Sequence, residues 1–385
     1  MVISNSMLKQ IVALRRELHR FPELSGHEQQ TAKKIKEWIQ TTNPDQIIEN
    51  AGGYGLMAIF KGKSAGKNIL LRADMDALPI HEINTFEHCS SKPGISHKCG
   101  HDGHSAILAG VAGWLRSNPP EKGSVILLFQ PAEETGKGAA GVMADQRFAT
   151  LDIDFAFALH NLPGFPKNSV ITRNHTFSAA SKGLIIRLTG VTSHAAHPEH
   201  GISPALAMAD IIRKFGEISI ENTDFLDFKL ITIIHARLGE RAFGTSPGYA
   251  EIMATFRSYN DDDMKKLVDK AVYAVALIAD KFGLDERLEW TEEFPATIND
   301  EKCVGLIREV SMEKNLKIIQ VDEPFRWSED FGHFLSKYPG ALFGIGAGKR
   351  HPGLHHPDYD FPDELIPAGI SIFTGLIQKI CMMQA

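Results

Sequence analysis

Four apolar runs along the chain each end abruptly in polar, chemically capable residues. Asn68-Ile69-Leu70-Leu71 runs into Arg72-Ala73-Asp74-Met75-Asp76, and Val125 to Phe129 runs into Gln130-Pro131-Ala132-Glu133-Glu134. Phe155 to Leu159 ends at His160-Asn161, and Ala341 to Ile345 leads to the segment holding His351, His355 and His356. Runs that are continuously apolar, rather than alternating, suit strands buried on both faces, as in a parallel sheet. Helical patterns lie between them. Gly103 to Leu115 sets Ile107, Val111 and Trp114 on one side, and Leu365 to Met382 groups Ile366, Ile370, Phe373 and Leu376. Sites in open α/β sheets lie beyond the carboxyl ends of the strands, so the four polar clusters are expected to converge on one edge.

From about Phe177 to Phe294 the pattern changes. Strand-like Gly183 to Leu188 precedes a helical run from Ser203 to Phe215. Strand-like Lys229 to Ile234 and Glu251 to Arg257 follow. Asp261 to Phe282 is a long amphipathic helix opened by three aspartates, which suit a helix N-terminus, and Leu288 to Glu293 is again strand-like. The expectation is an α/β fold with a mostly parallel sheet, built from residues 1–177 and 294–385 and interrupted by a ferredoxin-like α+β domain over 178–293. A length of 385 residues agrees with two domains rather than one core.

Composition narrows the function classes. Forty-one basic residues against 47 acidic ones give a formal charge of −6, which counts against a nucleic-acid partner. No run of about 18 apolar residues occurs, so no membrane association is expected. The N-terminal residues lack a basic patch followed by an apolar core, so no secretory signal is expected. Four sparse cysteines, Cys89, Cys99, Cys303 and Cys381, argue against a disulfide framework and for a cytoplasmic location.

The densest chemistry is Cys99-Gly100-His101-Asp102-Gly103-His104, a thiol, two imidazoles and a carboxylate at an expected helix start. A helix N-terminus is expected to lower the Cys99 pKa toward the metal-binding thiolate. Glu133-Glu134 offers a general base and a metal ligand at neighbouring positions. Each signal alone has an ordinary structural reading: a buried cysteine, a solvated acidic pair, a hydrogen-bonded His160, a turn-capping Asp74 or Asp76, surface imidazoles at His355-His356. Together they assemble cysteine, histidine and glutamate ligand types at strand ends and helix starts. The chain has no Gly-x-Ser-x-Gly elbow and no phosphate-binding Gly-x-x-x-x-Gly-Lys loop.

At these residues the sequence resembles the M20 metallopeptidases, in the aminoacylase-like branch of hippurate hydrolases, N-acetyl-diaminopimelate deacetylases and auxin-conjugate amidohydrolases. The resemblance runs through Leu18-His19-Arg20-Phe21-Pro22-Glu23-Leu24-Ser25, Arg72 to Pro79, Cys99 to His104 and Phe129 to Glu134. It continues through Ala158 to Asn161, Ser193-His194-Ala195-Ala196-His197-Pro198, Glu329-Asp330-Phe331 and Leu354-His355-His356-Pro357. It implies two divalent metal ions (zinc, manganese, nickel or cobalt) held by Cys99, His101, Glu134, His160 and His355, with Cys99 between them and His356 as the alternative to His355. Glu133 is implied as the catalytic carboxylate and Asp76 as the residue orienting a ligand histidine. The inserted domain is implied to be a lid that also mediates a homodimer or higher homo-oligomer. There His194 reaches an active site, its own or a partner subunit's, and Arg257 anchors the substrate carboxylate. The stretch Gly244-Thr245-Ser246-Pro247 departs from the family's asparagine-bearing lid motif, which leaves the acyl and amino-acid preference open.

The activity so implied is hydrolysis of the amide bond of N-acyl amino acids or related small conjugates, with Glu133 as general base to a metal-activated water. The alternatives are a dipeptidase or carboxypeptidase of the same family, a non-catalytic metal-binding protein on this fold, and a hydrolase using Cys99 as nucleophile.

Overall fold

The computed structural model describes residues 3–220 and 225–381. Met1, Val2 and the expected helix end at Met382 lie outside that range. The chain forms two compact units. One comprises Met1–Phe177, Thr297–Pro324 and Asp330–Ala385; the other comprises Ser178–Ala296 and Phe325–Glu329.

The first unit is built on an eight-stranded sheet. Its order is Gln46–Ala51, Gly55–Lys61, Lys122–Gln130, Ser64–Asp74, Phe155–Pro163, Gly340–Gly348, Val170–Thr172 and Ile318–Gln320. The four expected apolar runs are its four central strands, and neighbours among them pair in parallel. Successive side chains, which point to opposite faces, are equally covered: Ile69, Leu70 and Leu71 are all fully buried, as a sheet packed on both sides requires. The outer hairpin Gln46–Ala51 and Gly55–Lys61 is antiparallel and lies outside the four runs.

Two expectations are corrected here. The helix His101–Ser117 is not one-sided: His101 through Leu115 are all buried. Strand Ser64–Asp74 lies on one side of it and the helices Asn5–Arg20 and Ile366–Ile380 on others. Ala106, Ala109, Gly110, Ala112 and Gly113 make that possible, because small residues let neighbours approach from every direction. The third strand also does not stop before His160. It continues to Pro163, so His160 and Asn161 project from the strand itself.

The second unit is a four-stranded antiparallel sheet in the order Lys229–Leu238, Tyr249–Ser258, Ala180–Thr189, Asp285–Phe294. Helices Ala205–Ile220 and Asp261–Lys281 pack on it around Ile186, Phe215, Phe256 and Leu267. Numbered by position in the chain the strands run 2-3-1-4, the ferredoxin-like arrangement. Asn260 caps the long helix: its side-chain oxygen accepts the Asp263 N–H at 2.7 Å.

Candidate metal centre

The motif Cys99 to His104 is shaped by its glycines. Gly100 caps the helix with φ +93°, a left-handed conformation open to glycine, and a Cβ there would overlap the Asn161 carboxamide. A Cβ at Gly103 would overlap the Phe361 ring. Asn161 uses the space so created: its Nδ2 donates to the Cys99 carbonyl at 3.1 Å and to the Tyr359 hydroxyl at 2.7 Å. The thiol and the first-turn histidine therefore face the carboxyl edge of the sheet together.

The five side chains taken as ligands meet there. Cys99 Sγ lies 3.5 Å from His160 Nε2. Glu134 Oε1 lies 3.7 Å from His101 Nε2 and 3.8 Å from His355 Nε2. Three overlapping sets, Cys99–His101–His160, Cys99–Glu134–His355 and His101–Glu133–Glu134, each hold their ligand atoms within 4.8 Å of one another. His355, half-exposed and on a left-handed backbone at φ +64°, brings its Nε2 toward Glu134, whereas His356 turns to the Asp358 carboxylate. His101 Nε2 and Glu134 Oε1 are buried with no hydrogen-bond partner. Buried polar atoms are rarely left so, and two that face one another across 3.7 Å fit a cation between them. The donor set of thiol, imidazole and carboxylate suits a borderline divalent ion.

Two of the three histidines taken as ligands, His101 and His160, are oriented from behind. His101 Nδ1–H faces the Asp76 carbonyl at 3.0 Å and Asp76 Oδ1 at 3.1 Å, which presents Nε2 to the site. His160 Nδ1–H donates to the Asn161 carbonyl at 2.8 Å, with the same result. Asp76 is itself held by the Ser25 hydroxyl at 2.7 Å and by the Glu134 N–H at 3.0 Å. One aspartate thus orients two of the five ligand residues.

Burial shapes the protonation of these groups. It pushes the Cys99 thiol well up, with Glu134 adding to the effect. The expectation of a lowered thiol pKa is therefore reversed for the protein without a cation: loss of water outweighs the helix start. Burial, with Asp76 and Asp74 nearby, pushes Glu134 up to about 8. Burial pushes His160 well down, and His355 down as well. His101 moves the other way; burial opposes its charge, but Asp74 and Cys99 more than offset that. The cluster holds protons where cations would sit.

Beneath the ligands lies a buried polar layer that spacing alone did not reveal. Arg72 donates to Gln130 Oε1 at 2.9 Å, to Asp74 Oδ2 at 2.6 Å and to Asp330 Oδ1 at 2.7 Å. Asp74 does not cap a turn; its other oxygen meets His104 Nδ1 at 2.6 Å. His104 Nε2 accepts the Asn161 N–H at 3.2 Å, so this second imidazole of the motif is a support and not a ligand. The Asp330 N–H donates to Glu133 Oε1 at 3.2 Å, fixing the carboxylate expected to act as base. Glu329-Asp330-Phe331 carried the resemblance without a role; the Asp330 contact supplies one.

Two expected site residues belong to the second unit. His194 is exposed, and its Nδ1 accepts the Ala196 N–H at 3.0 Å, leaving Nε2–H as a donor. Arg257 donates to the Arg326 carbonyl at 2.8 Å and the Ser328 hydroxyl at 3.0 Å, and makes no salt bridge among the described residues.

Comparison with known proteins shows the family. Residues 70–379 match the model of peptidase family M20/M25/M40. The N-acetyl-L-cysteine deacetylase of Bacillus subtilis is 33% identical over 365 residues, 94% of this chain and 86% of that protein. The IAA-amino acid hydrolase ILR1-like 5 of Arabidopsis thaliana is 30% identical, covering 96% of this chain and 86% of its own. The crystal structure of Bacillus subtilis YXEP, described as a dinuclear metal binding peptidase from the M20 family, superposes with a TM-score of 0.82 at 26% identity, over 99% of this chain and 100% of that one. This chain belongs to peptidase family M20/M25/M40.

Proposed function

We propose that the protein is a two-metal amidohydrolase that cleaves the amide bond of N-acyl amino acids or related amino-acid conjugates. One observation carries the reading: Cys99, His101, Glu134, His160 and His355 converge with Glu133 beside them. Similarity to a deacetylase of an N-acetyl amino acid and to a hydrolase of amino-acid conjugates supports the substrate class. Held by those five residues, two divalent ions would polarise the amide carbonyl and lower the pKa of a water. Nitrogen and sulfur donors favour zinc, nickel or cobalt, and the carboxylate admits manganese.

The chain's own groups do the rest. Glu133, fixed by the Asp330 N–H, takes the water's proton as its oxygen attacks the carbonyl carbon. The same carboxyl then returns the proton to the departing nitrogen, so the C–N bond breaks with a neutral amine leaving. His194, with Nε2–H free, stabilises the developing oxyanion. Arg257 binds the substrate carboxylate, a task suited to a guanidinium that makes no salt bridge among the described residues. The second unit serves as lid and dimerisation domain, and the protein works in the cytoplasm, where its four cysteines stay reduced.

A panel of N-acetyl and N-benzoyl amino acids and free dipeptides, assayed with and without chelator, tests this. Turnover of N-acyl amino acids that chelator abolishes and added metal restores is the expected result. Preference for free dipeptides would transfer the protein to the peptidases of the family, and chelator-resistant turnover would favour Cys99 as nucleophile.

A further inference from the structure

The turn that carries Glu133 and Glu134 is held at three consecutive residues, each by a group distant in sequence. Glu134 N–H donates to Asp76 Oδ2 at 3.0 Å, and Glu133 Oε1 accepts the Asp330 N–H at 3.2 Å. The third tie is at Ala132, whose N–H donates to Glu28 Oε1 at 2.8 Å. Ala132 sits at φ +52°, a left-handed conformation that alanine adopts at a cost, so an outside restraint is needed to hold it there. Glu28 is fully buried and is itself fixed, because the same Oε1 accepts the Gly26 N–H at 2.9 Å. Its other oxygen, Oε2, is buried and has no hydrogen-bond partner. The carboxyl therefore works through one oxygen, as a two-donor acceptor between the N-terminal segment and the catalytic turn.

We infer that Glu28 is a positioning residue for the catalytic turn: its Oε1 holds the Ala132 N–H and thereby sets the direction in which Glu133 and Glu134 leave the backbone. It touches neither substrate nor cation. The inference rests on the reading of Glu133 as the base. It separates two substitutions sharply. Glu28→Gln keeps an oxygen at Oε1 and changes only the atom that has no partner. Glu28→Met fills similar space with no acceptor, and Glu28→Ala removes both acceptor and volume.

The test uses the full-length protein and two readouts. Amide hydrogen exchange over residues 130–137 of metal-free protein, followed by mass spectrometry, reads the turn directly. Turnover of an N-acetyl amino acid by metal-loaded protein, with metal content measured on the same samples, reads the consequence. Glu28→Met should exchange faster in that segment and lose kcat by ~10- to 100-fold, with KM within about threefold and metal content at the wild-type level. Glu28→Gln should match wild type in exchange and stay within about threefold in kcat. If Glu28→Ala fails to fold, the space-filling Met variant still decides. Wild-type exchange in Glu28→Met overturns the inference, as does a Gln variant as impaired as the Met variant. Glu133→Gln is run alongside: wild-type turnover there overturns the base assignment instead, and the exchange readout then decides on Glu28 alone.

Discussion

His101 is held by Asp76 from behind: the imidazole Nδ1–H is shared between the Asp76 carbonyl at 3.0 Å and its Oδ1 at 3.1 Å. Twenty-five residues apart in sequence, they are joined because the strand Ser64–Asp74 and the helix His101–Ser117 pack directly. Asp76→Asn keeps the shape but weakens the acceptor and the hold on the Glu134 N–H. Metal affinity should fall by about 10- to 100-fold, the usual cost of losing such a partner. Competition with a chromogenic chelator measures it, and unchanged affinity would show that Asp76 does not orient His101.

Metal binding should release protons. Without cations the Cys99 thiol lies well above its ordinary range, and Glu134 is at about 8, so both bind protons at neutral pH. The cation requires their deprotonated forms. Apparent affinity should therefore climb as pH rises from 6 toward the Glu134 value of about 8. Calorimetric titration in buffers of different ionisation enthalpy counts the protons released; a pH-independent affinity would contradict these assignments.

The buried network under the N-terminal helix should set an alkaline limit to stability. Burial opposes charge on His19, yet Asp102 at 2.9 Å and Glu82 at 3.0 Å push it up to about 9. A raised folded pKa means stability that is complete below the unfolded value of 6.5 and lost as pH rises through about 9. The melting temperature should fall across that window, and by less in His19→Gln. A difference between the two proteins that does not narrow with rising pH would contradict the coupling.

Arg257→Gln should act on binding rather than chemistry. Losing a charge-assisted contact to the substrate carboxylate should raise KM about tenfold or more while kcat changes little. The matching substrate with its carboxylate converted to an amide should show no such effect. An equal rise for both substrates would remove Arg257 from that role.

Much of this architecture was legible in the chain. The four apolar runs became the four central parallel strands because strands covered on both faces have no polar side to hide. Cys99 to His104 stood out because its glycines and candidate ligand types are adjacent in sequence. What stayed hidden was the layer beneath. Beyond the local contacts Arg72–Asp74 and Gly26–Glu28, the partners of Arg72, Asp330 and Glu28 lie 58 to 258 residues away, so local spacing gives little sign of their roles. An arginine in a strand end looks solvated until Asp74 and Asp330 are seen to enclose it. The direction of the Cys99 shift was also invisible, because burial can be judged only when the helix His101–Ser117 is seen to be covered all round.

The proposed chemistry requires Glu133 to act on a water beside two bound cations while Glu134 and its companions hold them. Elemental analysis of purified wild-type and Glu133→Gln protein, paired with turnover of an N-acetyl amino acid, tests it most directly. Two divalent ions per chain are expected in both proteins, with a loss of turnover of roughly two to four orders of magnitude in the variant, the range for a positioned base. A Glu133→Gln protein that keeps its ions and still turns over at the wild-type rate would contradict it.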